Sequence, residues 1–171
     1  MYLGTTIAGV LVVAACTLPI VISNRNRSKR TRYFFDKLSG FATQFGGQID
    51  QHDIWNGTAV GIDKIKLKLF YIQVNGENRI EREVDLRAVQ QCKVLNKSRT
   101  VKSNGDSNKI IERLELSFAF VDKTAPDKLL SFYDNSRDNL SINREFELVN
   151  KWAALVNELL EEQRSKSERQ F

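Results

Sequence analysis

The chain opens with an apolar segment that carries no charge. This segment runs from Leu3 to Ile22, and as a helix rising about 1.5 Å per residue it would span roughly 30 Å, the hydrocarbon thickness of a bilayer. Because lipid offers no partner for backbone amides, we predict a helix, with Pro19 able to kink its last turn. Residues 1–23 are therefore predicted to form a transmembrane anchor, whose apolar side chains are Leu3, Ile7, Val10, Leu11, Val12, Val13, Leu18, Ile20, Val21 and Ile22.

Three other interpretations fit this segment less well. A cleaved signal peptide begins with basic residues, and Met1–Thr6 contains none. The run Val13-Ala14-Ala15-Cys16 resembles a bacterial lipobox, in which Cys16 would be lipidated, but the apolar run continues to Ile22. A buried core helix is the third alternative. We expect the anchor to be retained, and the sequence leaves open whether Cys16 carries a lipid.

Basic residues follow the anchor at once. Five of them lie in a polar linker, residues 24–32, and no acidic residue precedes Asp36; they are Arg25, Arg27, Lys29, Arg30 and Arg32. Lys and Arg beside a membrane span stay on the cytoplasmic side. We therefore predict a single-pass inner-membrane protein with a cytoplasmic C-terminal domain. The same five residues are predicted to contact anionic headgroups.

A period close to 3.6 follows the linker. Phe34, Leu38, Phe41 and Phe45 lie at helical spacing in residues 33–45, and Gly46-Gly47 ends the pattern. We predict a short amphipathic helix packed on the domain. A helix lying in the membrane interface is the alternative, since aromatic residues beside basic ones suit headgroups.

From residue 48 to residue 134 the period changes to two, which is typical of strands with one buried face. Asn75-Gly76 predicts a hairpin, and Asn104-Gly105 predicts a second, longer connection. We predict six or seven antiparallel strands. The alternating apolar positions are Ile65, Leu67, Leu69 and Tyr71, then Val84 and Leu86, Cys92 and Val94, Leu114, Leu116, Phe118 and Phe120, and finally Leu130 and Phe132.

The chain ends in a second helical pattern. Asn143 is a candidate N-cap, and Glu145 and Glu147 suit the positive end of the helix dipole. A wide apolar stripe around Trp152 must lie on a sheet or fill the open end of a barrel; it comprises Leu148, Val149, Trp152, Ala153, Leu155, Val156, Leu159 and Leu160. Residues from Glu161 onward are polar, so we predict a domain over 33–162 and a frayed, flexible tail over 163–171.

Six or seven antiparallel strands before one helix with a central Trp resemble the pleckstrin-homology-like fold. The segment Ala59–Asp63, the Leu69-Phe70-Tyr71 strand and Val84–Leu86 also resemble small uncharacterised bacterial membrane-anchored proteins of that type. The resemblance covers about residues 48–160. It implies an α+β fold, an antiparallel sheet or open barrel closed by the C-terminal helix. Lipid-binding members cluster Lys and Arg near the first hairpin, but His52–Val60 contains neither, so phosphoinositide recognition is not implied.

The distribution of charge along the chain argues against a nucleic-acid partner. The chain has 26 basic and 21 acidic residues, and removing the five basic residues of the linker leaves the domain balanced. A nucleic-acid-binding domain needs a basic face of its own, so we predict no nucleic-acid partner. We expect the domain to be monomeric when separated from the membrane.

Candidate catalytic chemistry is sparse. His52 is the only histidine, which disfavours a zinc site. His52 and Cys92 could form a nucleophile pair, although a strand cysteine is more often a packed apolar residue. Cys16 and Cys92 lie in separate segments, so no disulfide is expected. No phosphate-binding glycine motif is present, and we predict no metal and no cofactor.

Three functional hypotheses follow. The first is a non-catalytic interaction or scaffold module that binds a peptide or protein at a strand edge or beside the last helix. The second is a lipid-sensing domain lying on the cytoplasmic membrane face. The third, and weakest, is an unrecognised hydrolase.

Overall fold

The computed structural model describes residues 28–103, 106–136, 142 and 144–169. The predicted anchor, the basic residues Arg25 and Arg27, and the predicted cap Asn143 lie outside this part of the chain. None of the helices within it combines the length and the hydropathy that crossing a bilayer requires.

Two antiparallel sheets and two helices make up the described chain, which is therefore α+β. Helix α1 comprises residues 28–44. Sheet A has the order β1-β2-β3-β4 and sheet B the order β5-β6-β7, and within the described residues they do not close into one barrel. The elements are β1 Gln51–Trp55, β2 Thr58–Asp63, β3 Lys68–Asn75, β4 Asn78–Asp85, a 3-10 turn Leu86–Ala88, β5 Val89–Ser103, β6 Asp106–Phe120, β7 Lys128–Asp134 and α2 Arg144–Glu168.

Tight turns connect most neighbouring strands. The predicted turn at Asn75-Gly76 is confirmed, with Gly76 in the left-handed region (φ 60°) between β3 and β4. Asn56 and Gly57, both at positive φ, make an equally short turn between β1 and β2. This Asn-Gly signal was present in the sequence and was not recognised as a turn. Ser103 pairs with Asp106, so only two residues join β5 to β6, and the longer connection predicted there is wrong.

The main core lies between the two sheets and α2. Trp152 is fully buried in it, and its indole N–H donates to the carboxylate of Asp53 on β1 at 2.9 Å. At one corner, the ring of Trp55 stacks on Phe132 and its N–H donates to the Phe132 carbonyl at 3.0 Å. Side chains thus join the sheets where no strand pairing does. The buried stripe of α2 is confirmed at Leu148, Val149, Trp152, Val156 and Leu160.

A second, smaller core lies on the other face of sheet A, under α1. Phe34, Leu38, Phe41 and Ala42 are buried there against Ala59, Phe70 and Ile72 of the sheet. The predicted packing of this helix on the domain is therefore confirmed. Phe45, the last residue of the predicted stripe, is 44% exposed.

Helix ends and one strand start differ from the predictions. Helix α1 includes residues 28–32, which the sequence pattern had assigned to the linker. Helix α2 continues to Glu168, so residues 163–168 are helical rather than frayed. Residues 64–67 form a turn, and Ile65 is exposed rather than in a strand. Alternation of Lys with apolar residues continues through that turn, which is why a period of two misplaced the strand start.

Candidate functional site

Strand β5 lies at an edge of sheet B, next to α2. Where the first residues of β5 face the second half of the helix, the two elements enclose a groove of about 840 Å³. Its apolar lining comes from Val89, Val121 and Leu160, and its polar lining includes Asn157 and Arg164. A strand edge beside a helix is where extended segments commonly bind.

The amide of Asn157 pairs with the backbone of β5 as a neighbouring strand would. Its Oδ1 accepts from the Cys92 N–H at 3.1 Å, and its Nδ2 donates to the Cys92 carbonyl at 2.9 Å. Arg164 donates to the carbonyl of Gln90, two residues earlier. Helix side chains therefore satisfy the outer edge of β5 at these positions.

Further along β5, the same edge is open. In an antiparallel pair, the residues whose backbone groups face outward alternate along the strand. The backbone N–H and carbonyl of Cys92 face outward. The register therefore places the backbone groups of Val94 and Asn96 outward as well, before a bulge between Lys97 and Ser98. Within the described chain, no strand or side chain hydrogen-bonds these groups. The groove lies on the other side of the Asn157–Cys92 pair, at residues 89–91 of β5. We refer to Val94, Asn96 and this groove together as the β5 edge.

The charges at the groove are partly engaged. Arg87, at its mouth, donates from Nε to Asp85 Oδ1 at 2.9 Å. That side-chain hydrogen bond is the main reason why the pKa of Asp85 lies below its ordinary value. Glu161 and Arg164 face the groove from α2. The groove therefore presents both signs of charge among amide side chains, which suits a polar extended segment better than an apolar ligand.

His52 and Cys92, the pair considered as a catalytic dyad, are not brought together. The ring of His52 packs on Phe35 of α1, with centroids 4.6 Å apart, on the outer side of sheet A. Cys92 is buried in the main core, between the sheets and α2. Burial raises the pKa of the Cys92 thiol to about 12, so the thiolate that a nucleophile requires is not formed near neutral pH.

Three of the five predicted membrane-contact residues are described. Lys29, Arg30 and Arg32 are exposed in the first turns of α1. Arg30 also lines a small pocket beside the Asn56-Gly57 turn. Arg25, Arg27 and the predicted anchor side chains lie outside the described residues.

Sequence reasoning did not identify the β5 edge. Its open positions follow from which residues of β5 face outward, and that depends on a register interrupted by bulges. Asn157, beside the apolar stripe of α2, was the one available signal, because an amide there can pair with a backbone. Across the described ranges, no group of three or more His, Cys, Asp or Glu side chains is arranged to hold a metal ion. Comparison with protein-family models, curated proteins and solved structures found no match.

Proposed function

We propose that this protein is a membrane-anchored interaction module without catalytic activity, whose domain lies at the cytoplasmic membrane face. Its ligand is an extended segment of a partner protein, which adds as a strand to the β5 edge. The observation that carries the proposal is the pairing of Asn157 with both backbone groups of Cys92. The outer edge of β5 already accepts an amide there, and Val94 and Asn96 continue that edge.

The arrangement of elements supports a pleckstrin-homology-like domain. The sheet orders β1-β2-β3-β4 and β5-β6-β7, followed by a C-terminal helix packed across the core, are what that resemblance implies. The uncharged run Leu3–Ile22 and the basic residues after it support the anchor and its orientation.

Strand addition at this edge is weak by itself. Val94 and Asn96 offer four backbone groups, and at about 0.5–1.5 kcal/mol for each hydrogen bond they supply about 2–6 kcal/mol before the entropy of binding is subtracted. Side-chain contacts in the groove must add to this. Attachment to a membrane raises the effective concentration of a partner at the same surface, so a weak module can still be occupied there.

Proline at Asn96 tests the proposal. The Asn96 side chain is exposed and its N–H faces outward, so Asn96→Pro removes an edge donor without breaking the β5–β6 ladder. The matched control Asn96→Ala keeps the N–H. The probe is a displayed library of random peptides selected against the wild-type full chain in lipid nanodiscs.

We expect the selected peptides to bind the wild type and Asn96→Ala, and to lose binding to Asn96→Pro. Hydrogen exchange of β6 amides checks that the proline variant keeps its fold. Strand addition would be contradicted if the selected peptides bound the proline variant as well as the wild type. It would also be contradicted if peptide binding left the Val94 and Asn96 amides of the wild type unchanged.

A further inference from the structure

The connection between β2 and β3 presents an apolar side chain to solvent. It consists of residues 64–67, and at its tip Ile65 is 88% exposed. Exposed Lys64 and Lys66 flank it. A tight surface turn ordinarily takes Gly, Asn, Asp or Ser, so a β-branched apolar residue between two lysines is not explained by turn geometry.

Hydrogen bonds hold this turn in one conformation without using the Ile65 side chain. Asp63 Oδ1 accepts from the Lys66 N–H at 2.7 Å, and Asp50 Oδ2 accepts from the Lys64 N–H at 2.7 Å. The Leu67 carbonyl accepts from the Leu86 N–H at 2.8 Å, while Leu67 itself has a φ of 51°, uncommon for a residue with a side chain. Ile65 is therefore presented from a fixed support.

Both acidic groups at this turn accept hydrogen bonds from its backbone, and of the two only Asp63 is buried, whereas Asp50 is exposed. Burial alone would raise the pKa of Asp63, but hydrogen bonds from the backbone N–H groups of Lys66, Gln48 and Ile65 outweigh it, and the pKa lies below its ordinary value. The carboxylates of Asp63 and Asp50 are thus bound to backbone amides. Lys64 and Lys66 remain exposed, which leaves a positive surface around an apolar tip.

This surface is continuous with the C-terminal end of α1. Lys66 donates to the Gly46 carbonyl, and the Lys68 ammonium lies 5.5 Å from the centre of the Phe45 ring. Phe45 is itself 44% exposed. Further back along α1, the exposed side chains turned away from sheet A include Lys29, Arg32, Tyr33, Asp36 and Lys37, so basic residues outnumber the one acidic residue among them.

The chain before α1 indicates what this surface faces. The uncharged run ends at Ile22, and five residues separate it from residue 28, where the described part of α1 begins. At about 1.5 Å per residue, residues 28–44 extend for roughly 25 Å. A helix of that length lying along a bilayer would place Phe45 and Ile65 at the same membrane surface as the basic residues at its beginning.

We propose that the outward face of α1 and the β2–β3 turn form a docking surface for an anionic bilayer. Their lysines and arginines contact the headgroups, and the side chains of Ile65 and Phe45 enter the interface. This gives the domain a defined orientation on the membrane, with α1 parallel to the surface. It rests on the proposed membrane anchor but does not involve the β5 edge, so docking on the bilayer and strand addition at the β5 edge can fail separately.

Tryptophan substitution provides the test, because an indole ring suits the membrane interface. Ile65→Trp is placed in the full chain, whose two native Trp rings are buried. The matched control is Leu129→Trp, a half-exposed position on sheet B, away from α1. Both variants are reconstituted in nanodiscs of phosphatidylcholine with or without phosphatidylglycerol, whose acyl chains are brominated to quench tryptophan fluorescence.

In the phosphatidylglycerol nanodiscs, we expect the Ile65→Trp emission to shift to shorter wavelength and to be quenched more than that of Leu129→Trp. The excess quenching should fall in about 1 M salt, where the Debye length is about 3 Å, and when Lys64 and Lys66 are both replaced by Gln. Quenching equal to the control would overturn the docking surface. Equal quenching without phosphatidylglycerol would overturn the requirement for an anionic bilayer. Recovery of the chain outside the nanodisc fraction would overturn the proposal as well.

Discussion

Asp63 holds the β2–β3 turn in place and connects it to a segment that is distant in sequence. It lies at the end of β2, is almost fully buried, and accepts backbone hydrogen bonds from Gln48 and Lys66. One carboxylate therefore joins the segment after α1 to the turn before β3. Because a buried carboxylate is stable only when hydrogen-bonded, we expect the fold to depend on the ionised form of Asp63.

The first prediction concerns this dependence. The pKa of Asp63 is lower in the folded chain than its ordinary value of 3.8. The ionised carboxylate therefore stabilises the fold above that value, and the stabilisation is lost as the pH falls through the folded-state pKa. We expect Asp63→Asn to cost about 1–3 kcal/mol of unfolding free energy near neutral pH. The difference from wild type should shrink as the pH falls below the ordinary value of 3.8.

Urea unfolding of the full chain in nanodiscs, followed by fluorescence of the buried Trp residues, measures both effects. Asp36→Asn, at an exposed position of α1, removes one negative charge without removing these hydrogen bonds and is the matched control. A wild-type-to-variant difference that is the same at acidic and neutral pH would contradict a role for the ionised form.

The strand prediction was wrong where hydrogen bonds from residues distant in sequence turn the backbone. Leu69 and Tyr71 were correctly predicted to be buried, because their alternation continues through a real strand. Ile65 follows the same alternation, but Asp50 and Asp63 turn the backbone there. Hydropathy alone does not reveal a carboxylate that caps a turn from another segment.

Sheet A is covered on both faces, which decides how closely its elements approach. Helix α1 packs on one face, and the main core occupies the other. Gly61, on β2 under α1, permits the approach: a Cβ there would lie 2.9 Å from Leu38 Cδ2 and 3.0 Å from Ile49 Cδ1. Gly40, within α1 itself, has open space around the same position.

The second prediction compares these two glycines. Gly61→Val should push α1 away from sheet A and cost about 1–3 kcal/mol, the range for overpacking a well-packed core. Gly40→Ala should stabilise the helix by about 0.5–1 kcal/mol, because alanine is the better helix former and meets no neighbour. Hydrogen exchange of α1 amides should therefore quicken in the first variant and slow in the second. Unchanged exchange in Gly61→Val would contradict the close packing of α1.

Element types were predictable because their periods are long and regular. The apolar stripe of α2 and the alternating residues of β6 and β7 correctly identified a helix and strands. The described part of the chain has seven strands, where six or seven were predicted. The helix ends were not predictable from the same patterns. Residues 28–32 and 164–168 are polar and exposed, and Gln163 is half-buried, so these residues extend helices whose stability comes from the packed turns beside them.

At the scale of the whole molecule, the sequence predicted the kind of surface that forms the candidate site but not the residues that form it. The sequence supported binding at a strand edge or beside the last helix, and the β5 edge joins both features. Its open positions depend on bulges at Val89–Gln91 and Lys97–Ser98, which set which backbone groups face outward. A bulge leaves little trace in hydropathy, so Val94 and Asn96 could not be selected from the sequence.

Because α1 is packed on the domain, an isolated peptide is a poor test of whether the basic residues contact a membrane. A peptide containing residues 24–45 would expose Phe34, Leu38 and Phe41, which are buried on the domain. Its binding to vesicles would then report an apolar face that the protein does not present. The basic residues are better tested in the full chain, where only their charges change.

The last prediction concerns orientation. We expect protease added to intact cells to leave the domain uncut, and protease added to permeabilised cells to digest it, because basic residues beside a span stay on the cytoplasmic side. Replacing the five linker residues by Gln should expose part of the population to protease in intact cells; they are Arg25, Arg27, Lys29, Arg30 and Arg32.

A matched control removes the same charge from exposed positions further from the span, namely Lys93, Lys97, Arg99, Lys123 and Lys166. The control variant should keep the wild-type pattern, since orientation depends on charges close to the span. Digestion of the wild-type domain in intact cells would reverse the predicted topology, and equal exposure in both variants would show that total charge, rather than its place beside the anchor, determines it.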